Sequence, residues 1–429
     1  MAMHEAAMDL FLNSSDTKEE EQTTAPKPPP LKILVKDSQF HTDIAEQPQA
    51  TKRCLKGRYS LSPKPSITFE SLGDDVLKKV SSAHRVIICA CGTSHNAALV
   101  GEYAVEQIAR IPTKTEYASE FRYKHDRLNK NKDVLVVISQ SGETADTLAA
   151  LRIAKSQGVL TIGIVNEENS AIHKEADRAI LLRVGEEMAI ASTKTFTSSI
   201  LVLVLLALRL AQIKGEIEDK KLGEVLQAVE KVPDLMQKVL SMTNDRVFHA
   251  AKVFRYSKNF LFLGRGFNFP IAMEGALKLK EISNTHAEGY PAAEMKHGPI
   301  ALIDTFMPVL FIAPRSDSTY EKIKSNIQEV LARRGAVLII TEEDNPDFKD
   351  IEYVFRVPST MEYLFPILAV LPLQLLSMYI AKMRSLNVDH PASGLRRKHT
   401  LSPSLGAKTP GVDHPAHIRT DTDLNLLKI

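Results

Sequence analysis

Four stretches of this chain read as two matching pairs. RVIICACGTSHNAALVGEYAVEQIAR is an apolar, β-branched run, a tight polar loop and a helix-patterned segment, and KNFLFLGRGFNFPIAMEGALKLKEIS repeats that order about 175 residues later. DVLVVISQSGETADTLAALRIAKSQGVLTIGIV adds strand, loop, helix and strand with Gly158 at the last turn. MPVLFIAPRSDSTYEKIKSNIQEVLARRGAVLIIT repeats it with Gly335 in that place. Self-similarity at one offset marks a duplicated unit. Short apolar strands alternating with helices call for parallel strands joined by crossover helices. The expected fold is α/β: two tandem domains of one kind, each a mostly parallel sheet flanked by helices.

The remaining sequence sets the boundaries. A leader and lead-in occupy residues 1–59, and its stretch SSDTKEEEQTTAPKPPPL is too charged and proline-rich to bury anything. The first domain is expected over 60–215, a helical connector over 216–257, the second domain over 258–391 and a divergent polar tail over 392–429. A chain of 429 residues exceeds one ordinary core, so two domains fit its length.

Composition excludes several classes. The formal net charge is +2, with no basic block interleaved with aromatics, so no nucleic-acid partner is expected. Three cysteines give no disulfide framework, Cys89 and Cys91 lack metal spacing, and a reducing cytoplasm suits them. The opening MAMHEAAMDLFLNSS has neither basic flank nor cleavage site and is not read as a signal peptide. The apolar run 200–210 is too short to span a bilayer. The run 363–381 is long enough, but Pro366, Pro372 and Gln374 interrupt it, so both are expected to be buried helices and no membrane is implied.

The loop ISQSGETADT, residues 138–147, ends a strand and opens a helix. In an open parallel sheet ligands bind beyond the carboxyl ends of the strands. Unpaired N–H groups at a helix start attract an anion there. Ser139, Ser141 and Thr144 would add hydroxyls, and Gly142 would let the backbone come close. The lysine of GxxxxGK[ST] is absent and the first unit fails GxGxxG, which favours a monophosphate on a small molecule over a nucleotide. An ordinary N-cap and turn would use the same residues. The second copy has APRSDSTYEK in that place, without the glycine, so one site per chain is expected. IASTKTFTSS, residues 190–199, is a further hydroxyl cluster before a helix.

MEGALKLKEIS places Glu274, Lys278 and Glu281 on one helix face, while Ala272, Ala276, Leu279 and Ile282 face the other way. This is either a solvated, salt-bridged face or a catalytic row. HAEGYPAAEMKHGP then brings His286, Glu288, Glu294, Lys296 and His297 within twelve residues, a concentration of groups able to move protons. No HExxH occurs and this half has no cysteine, so a metal site is not expected and no cofactor is implied.

ACGTSHNA, ASEFRY, SQSGETADTL, ASTKTFT, LGRG, EGALKLKEIS, HAE and KHGPIALI occur in order. Together they resemble the sugar isomerase (SIS) half of the glutamine–fructose-6-phosphate aminotransferase (glucosamine-6-phosphate synthase) family, over roughly residues 40–391 and beginning at IAEQPQATKRCLKGR. The resemblance implies two SIS domains binding fructose 6-phosphate or glucosamine 6-phosphate, in a homodimer. On matching positions, Thr93, Ser94, Ser139, Gln140, Ser141 and Thr144 would hold the phosphate, and Ala191 and Ser192 would line the sugar. Glu281 would be the base that moves a proton between C1 and C2, with Lys278 beside it. His297 would open the ring in the neighbouring subunit's site.

Two departures stand out. The family's glutaminase carries a cysteine directly after the initiator Met; here Ala2 follows Met1, so ammonia would come from solution or a separate glutaminase subunit. The family's ending carries an imine-forming lysine. Here ASGLRRKHTLSPSL follows Asp389-His390-Pro391, and Lys398 is the nearby side chain able to form an imine. VDHPA recurs at residues 412–416, as an altered reading frame would give. The expected activity is isomerisation, and amination if ammonia is supplied, of fructose 6-phosphate. A regulatory phosphosugar-binding protein or a glucosamine-6-phosphate deaminase would use the same residues.

Overall fold

The computed structural model describes residues 38–124 and 127–391. Most of the leader, the polar tail and Lys398 lie outside them. Two helices open the described chain, α1 (Gln39–Ala45) and α2 (Gln47–Leu55), followed by a short hairpin of β1 (Tyr59–Ser60) and β2 (Ser66–Ile67) and helix α3 (Asp74–Ser81). Residues 38–59, grouped above with the leader, are therefore part of the folded body. Phe40, Ile44, Ala50 and Cys54 give these two helices a fully buried apolar face.

The first domain continues as β3 (Arg85–Ala90), α4 (Thr93–Ala109), β4 (Thr113–Tyr117), α5 (Ala118–Phe121), β5 (Asp133–Ser139), α6 (Ala145–Ser156), β6 (Leu160–Val165), α7 (Ala171–Glu175), β7 (Arg178–Leu181) and α8 (Lys194–Lys214). The 36-residue helix α9 (Asp219–Phe254) connects it to the second domain. That domain runs β8 (Asn259–Gly264), α10 (Phe269–Ser283), β9 (His286–Pro291), β10 (Pro308–Ile312), α11 (Tyr320–Ala332), β11 (Ala336–Glu342), β12 (Tyr353–Val357) and α12 (Phe365–Met383).

The two sheets share one topology. The first is ordered β4-β3-β5-β6-β7 and the second β9-β8-β10-β11-β12, every neighbour parallel. Each unit thus reads 2-1-3-4-5, and the duplication seen in the sequence is a duplication of the fold.

The period of two along each strand divides its side chains between two cores. Val86, Ile88, Val134, Val136 and Ile138 point to one face and Ile87, Cys89, Leu135 and Val137 to the other. In the second sheet Phe260, Phe262, Leu310 and Leu338 face inward, while Leu261, Val309 and Ile339 face outward. The inward faces of both sheets join one continuous core with α4, α8, α10 and α12 between them. Helices α8 and α12 are apolar all round because they are covered all round. They are long and apolar enough to cross a membrane, but both are buried inside the protein. The run 200–210 lies within the longer α8.

Candidate functional site

In a 2-1-3-4-5 sheet the chain leaves the first and third strands in opposite directions, which opens a crevice beyond their carboxyl ends. In the first domain these strands are β3 and β5, paired Ala90 to Ile138. Their loops, residues 91–92 and 140–144, therefore flank one crevice. Gly92 has φ +56° and ψ −131°, a conformation only glycine adopts without strain. No atom lies within 4 Å of where its Cβ would be, so the loop faces open space. Helices α4 and α6 start on either side with their first N–H groups unpaired by the helix.

Within the second loop the hydroxyls are not equivalent. Ser139 Oγ is bonded to Thr144 Oγ1 at 2.9 Å and accepts from Gly142 N at 3.0 Å, which ties the loop to itself. Ser141 Oγ accepts from Glu143 N at 3.2 Å and keeps its own proton to donate. Gly142, with φ +63°, makes its close approach to Ser170, whose Oγ would lie 2.0 Å from an added Cβ. The glycine therefore serves loop packing rather than a ligand's approach.

At the equivalent place in the second domain, donors meet a carboxylate of the chain itself. Glu342, 2% exposed, accepts from Arg315 N, from Ser316 N at 2.9 Å and from Ser316 Oγ at 2.7 Å. Asp317 accepts from Thr319 N and Oγ1, both at 2.7 Å. The donors an anion would use in this loop are already satisfied within the chain.

Helix α10 lays its charged face against the first domain. Glu274 and Lys278 are 0% exposed, so the solvated-face alternative does not hold. Lys278 Nζ lies 2.7 Å from Glu281 Oε2 and 3.5 Å from Glu274 Oε1. Glu274 also accepts from Thr93 Oγ1 at 3.0 Å and Asn96 Nδ2 at 2.8 Å, both on α4. Thr93 spends its hydroxyl proton on this carboxylate, leaving its backbone N–H and Ser94 as donors toward the crevice. Of the three charged residues only Glu281 reaches solvent, its side chain being 29% exposed. Burial opposes the charge on Lys278, yet Glu274 and Glu281 outweigh it and hold the ammonium above the usual lysine range. Complete burial pushes the Glu274 carboxyl up, against the pull of Lys278. A carboxylate accepting three donors is the arrangement of an ionised group.

The loop before α8 completes the surroundings. Ala191 is buried, and Ser192 Oγ donates to Glu187 Oε2 at 2.8 Å. Glu187 also accepts from Thr193 N at 2.5 Å and from Thr195 Oγ1, and its charge is felt by Lys278. Sequence reasoning passed over Glu187; an acid just ahead of a Ser/Thr-rich helix start was the readable signal. The loop is anchored from below: Lys194, 1% exposed, pairs with Asp43 at 2.9 Å and Glu46 at 2.8 Å, and Asp43 accepts from Ala189 N at 2.7 Å. Asp389 accepts from Phe40 N at 2.8 Å, and its carbonyl from Ile190 N at 3.4 Å. The last described residues thus lie beside Ala191.

The histidine loop divides: His286 lies 3.1 Å from Asn259 and 3.7 Å from Glu288, which also accepts from Tyr290, while Lys296 pairs with Glu329 at 2.7 Å. His297 is exposed at the end of the 3-10 turn Ala292–His297. Gln140 donates to Glu167 at 3.4 Å beside the cradle. A third histidine sits in the first turn of α4. His95 is 4% exposed and stacks on Tyr117 with ring centres 3.6 Å apart. Burial lowers its pKa to about 4 despite Glu116 nearby, so it is neutral at physiological pH. A half-open hollow of 290 Å³ lies elsewhere, lined by Arg58, Glu70, His173 and Arg183.

A tandem sheet of this order, with its crevice at the first domain's switch point, is the architecture of sugar-phosphate isomerase domains. The SIS domain model matches residues 79–209 and 254–384, and the chain belongs to that family. Over 350 residues it is 45% identical to the glutamine–fructose-6-phosphate aminotransferase [isomerizing] of Bacteroides thetaiotaomicron, covering 81% of this chain and 56% of that protein. The Chlorobaculum tepidum protein of the same name is 46% identical over 351 residues, again 56% of its length. The chain thus spans just over half the length of these curated relatives. Among solved structures, the C-terminal domain of glucosamine-fructose-6-phosphate aminotransferase from Francisella tularensis matches with a TM-score of 0.77 and 34% identity. That match covers 83% of this chain and 98% of that one.

Proposed function

We propose that this chain is a fructose 6-phosphate isomerase of the glucosamine-6-phosphate synthase type, able to aminate the sugar when ammonia is supplied. The observation that carries this is the buried row Glu274–Lys278–Glu281, in which Glu281 alone reaches solvent, set beside the loops of an open crevice. The phosphate would sit on the N–H groups of α4 and α6, with Ser94, Ser139, Gln140, Ser141 and Thr144 around it. Ala191 and Ser192 would line the sugar. Glu281 would take the proton from one of C1 and C2 and return it to the other, and the Lys278 ammonium would stabilise negative charge developing on the sugar oxygens.

His297, exposed on its turn, would open the sugar ring in the neighbouring chain's site, as the family resemblance implies, and that role calls for a homodimer. Three free cysteines suit a reducing cytoplasm. Lys398, reaching the sugar from the tail beyond Pro391, would form the imine.

Conversion of fructose 6-phosphate to glucose 6-phosphate, followed by a coupled dehydrogenase, tests this. Glu281→Gln should lower kcat at least about 100-fold, the scale of removing a general base, while sugar binding persists. Ser141→Ala should weaken binding by about 1–3 kcal/mol, the cost of a lost hydrogen bond to a charged group. Full isomerase activity in Glu281→Gln would overturn the assignment.

A further inference from the structure

The carboxylate of Glu274 joins two domains. It is wholly buried, and it receives Thr93 Oγ1 at 3.0 Å and Asn96 Nδ2 at 2.8 Å from the helix that begins at the phosphate crevice. From its own helix it receives Lys278 Nζ at 3.5 Å, and Lys278 in turn lies 2.7 Å from Glu281. A continuous path of polar contacts runs from the start of α4 to the residue read above as the base. The Glu274 carboxylate itself reaches no solvent.

Resting on the functional reading above, we propose that Glu274 is a positioning residue: it pins the Lys278 ammonium between the two domains so that it stays directed at Glu281. A fully buried ammonium with one carboxylate partner is poorly compensated; with two it is held in place and in its charged form. The charged groups that face Lys278 are Glu274 and Glu281 on its own helix and Glu187 on the loop before α8. Glu187 is already shared among Ser192, Thr193 and Thr195, and Glu281 is partly exposed and therefore screened. Glu274 is the partner neither shared with the Ser192 loop nor exposed to water. The contacts to Thr93 and Asn96 also mean that a shift of α4 on filling the crevice would be passed to Lys278.

Two measurements test this in the full chain. The first is the pH dependence of fructose 6-phosphate isomerisation by wild type and Glu274→Gln, which keeps shape and removes charge. Expected is a fall in kcat of tenfold or more with KM within about threefold, and an alkaline limb displaced to lower pH because Lys278 gives up its proton more easily. The second does not need turnover: ¹³Cε-lysine NMR, with the Lys278 resonance assigned by its loss in Lys278→Arg. Its titration midpoint should move to lower pH in Glu274→Gln. Pairing Glu274→Gln with Asn96→Asp restores one buried carboxylate and one amide in contact, and should return the midpoint most of the way to wild type. If Glu274→Gln does not fold, Glu274→Asp, which retracts the carboxylate by one methylene, should move the midpoint in the same direction by less. An unchanged Lys278 midpoint in the folded variant overturns the proposal, whatever happens to kcat. A displaced midpoint in a chain with no isomerase activity would support the positioning role and overturn the reaction instead.

Discussion

Acidification should loosen this protein through one histidine. His95 sits in the first turn of α4, stacked on Tyr117 and 4% exposed, and its Nδ1 is buried without a hydrogen-bond partner among the described residues. Burial lowers its pKa from 6.5 to about 4. In the unfolded chain the imidazole recovers its ordinary value, so between these limits the unfolded state binds the proton that the folded state refuses. The contribution is therefore fully present above pH 6.5 and is lost as pH falls, levelling off below about pH 4. The displacement corresponds to a loss of about 2 kcal/mol by pH 5 and about 3 kcal/mol when both states are protonated. Many carboxylates titrate in the same range, so the wild-type curve alone would not isolate this term. His95→Phe keeps an aromatic ring against Tyr117 and cannot titrate. Urea unfolding of both proteins from pH 7.5 to 4.5 should show the difference between them narrowing by about 2 kcal/mol toward pH 5, in favour of the variant. Two curves that stay parallel over that range would refute the claim that burial holds His95 neutral.

Other outcomes follow from particular contacts. Lys194→Met strands Asp43 without its buried partner and should cost about 3–5 kcal/mol in chemical unfolding, with part regained in combination with Asp43→Asn. Gly142→Ala forces a side chain into the left-handed region against Ser170. It should lower stability by at least about 1–2 kcal/mol and weaken sugar-phosphate affinity, measured by calorimetry. Glu342→Ala frees the Arg315 and Ser316 donors at about 1–3 kcal/mol in stability; inorganic phosphate should then raise its melting temperature more than that of wild type, and an equal rise in both would refute the idea that Glu342 occupies an anion's place.

Much of this protein was legible before any coordinates. The strand and helix periods, and their recurrence at one offset, determined two like α/β domains, because backbone hydrogen bonding and burial admit few ways to satisfy such a pattern. The loop at residues 139–144 was visible as a hydroxyl-rich strand end for the same local reason. Sequence could also put Glu274, Lys278 and Glu281 on one helix face, since that needs only the turn of the helix. Whether that face met water or another domain depended on how the two units pack, and only the tertiary structure showed Glu274 under Thr93 and Asn96. The same holds for Gly142, whose partner Ser170 is brought to it by strand order, and for residues 38–59, whose sparse apolar side chains gain meaning only from the core they meet. Glu342 was silent in the sequence, and Glu187 showed only as an acid ahead of a Ser/Thr-rich helix start, because a carboxylate's role here is set by which backbone N–H groups the fold aims at it. Local periodicity determines elements; which polar groups are buried together is decided by contacts between residues far apart in the chain, and the chemistry of this site rests on those.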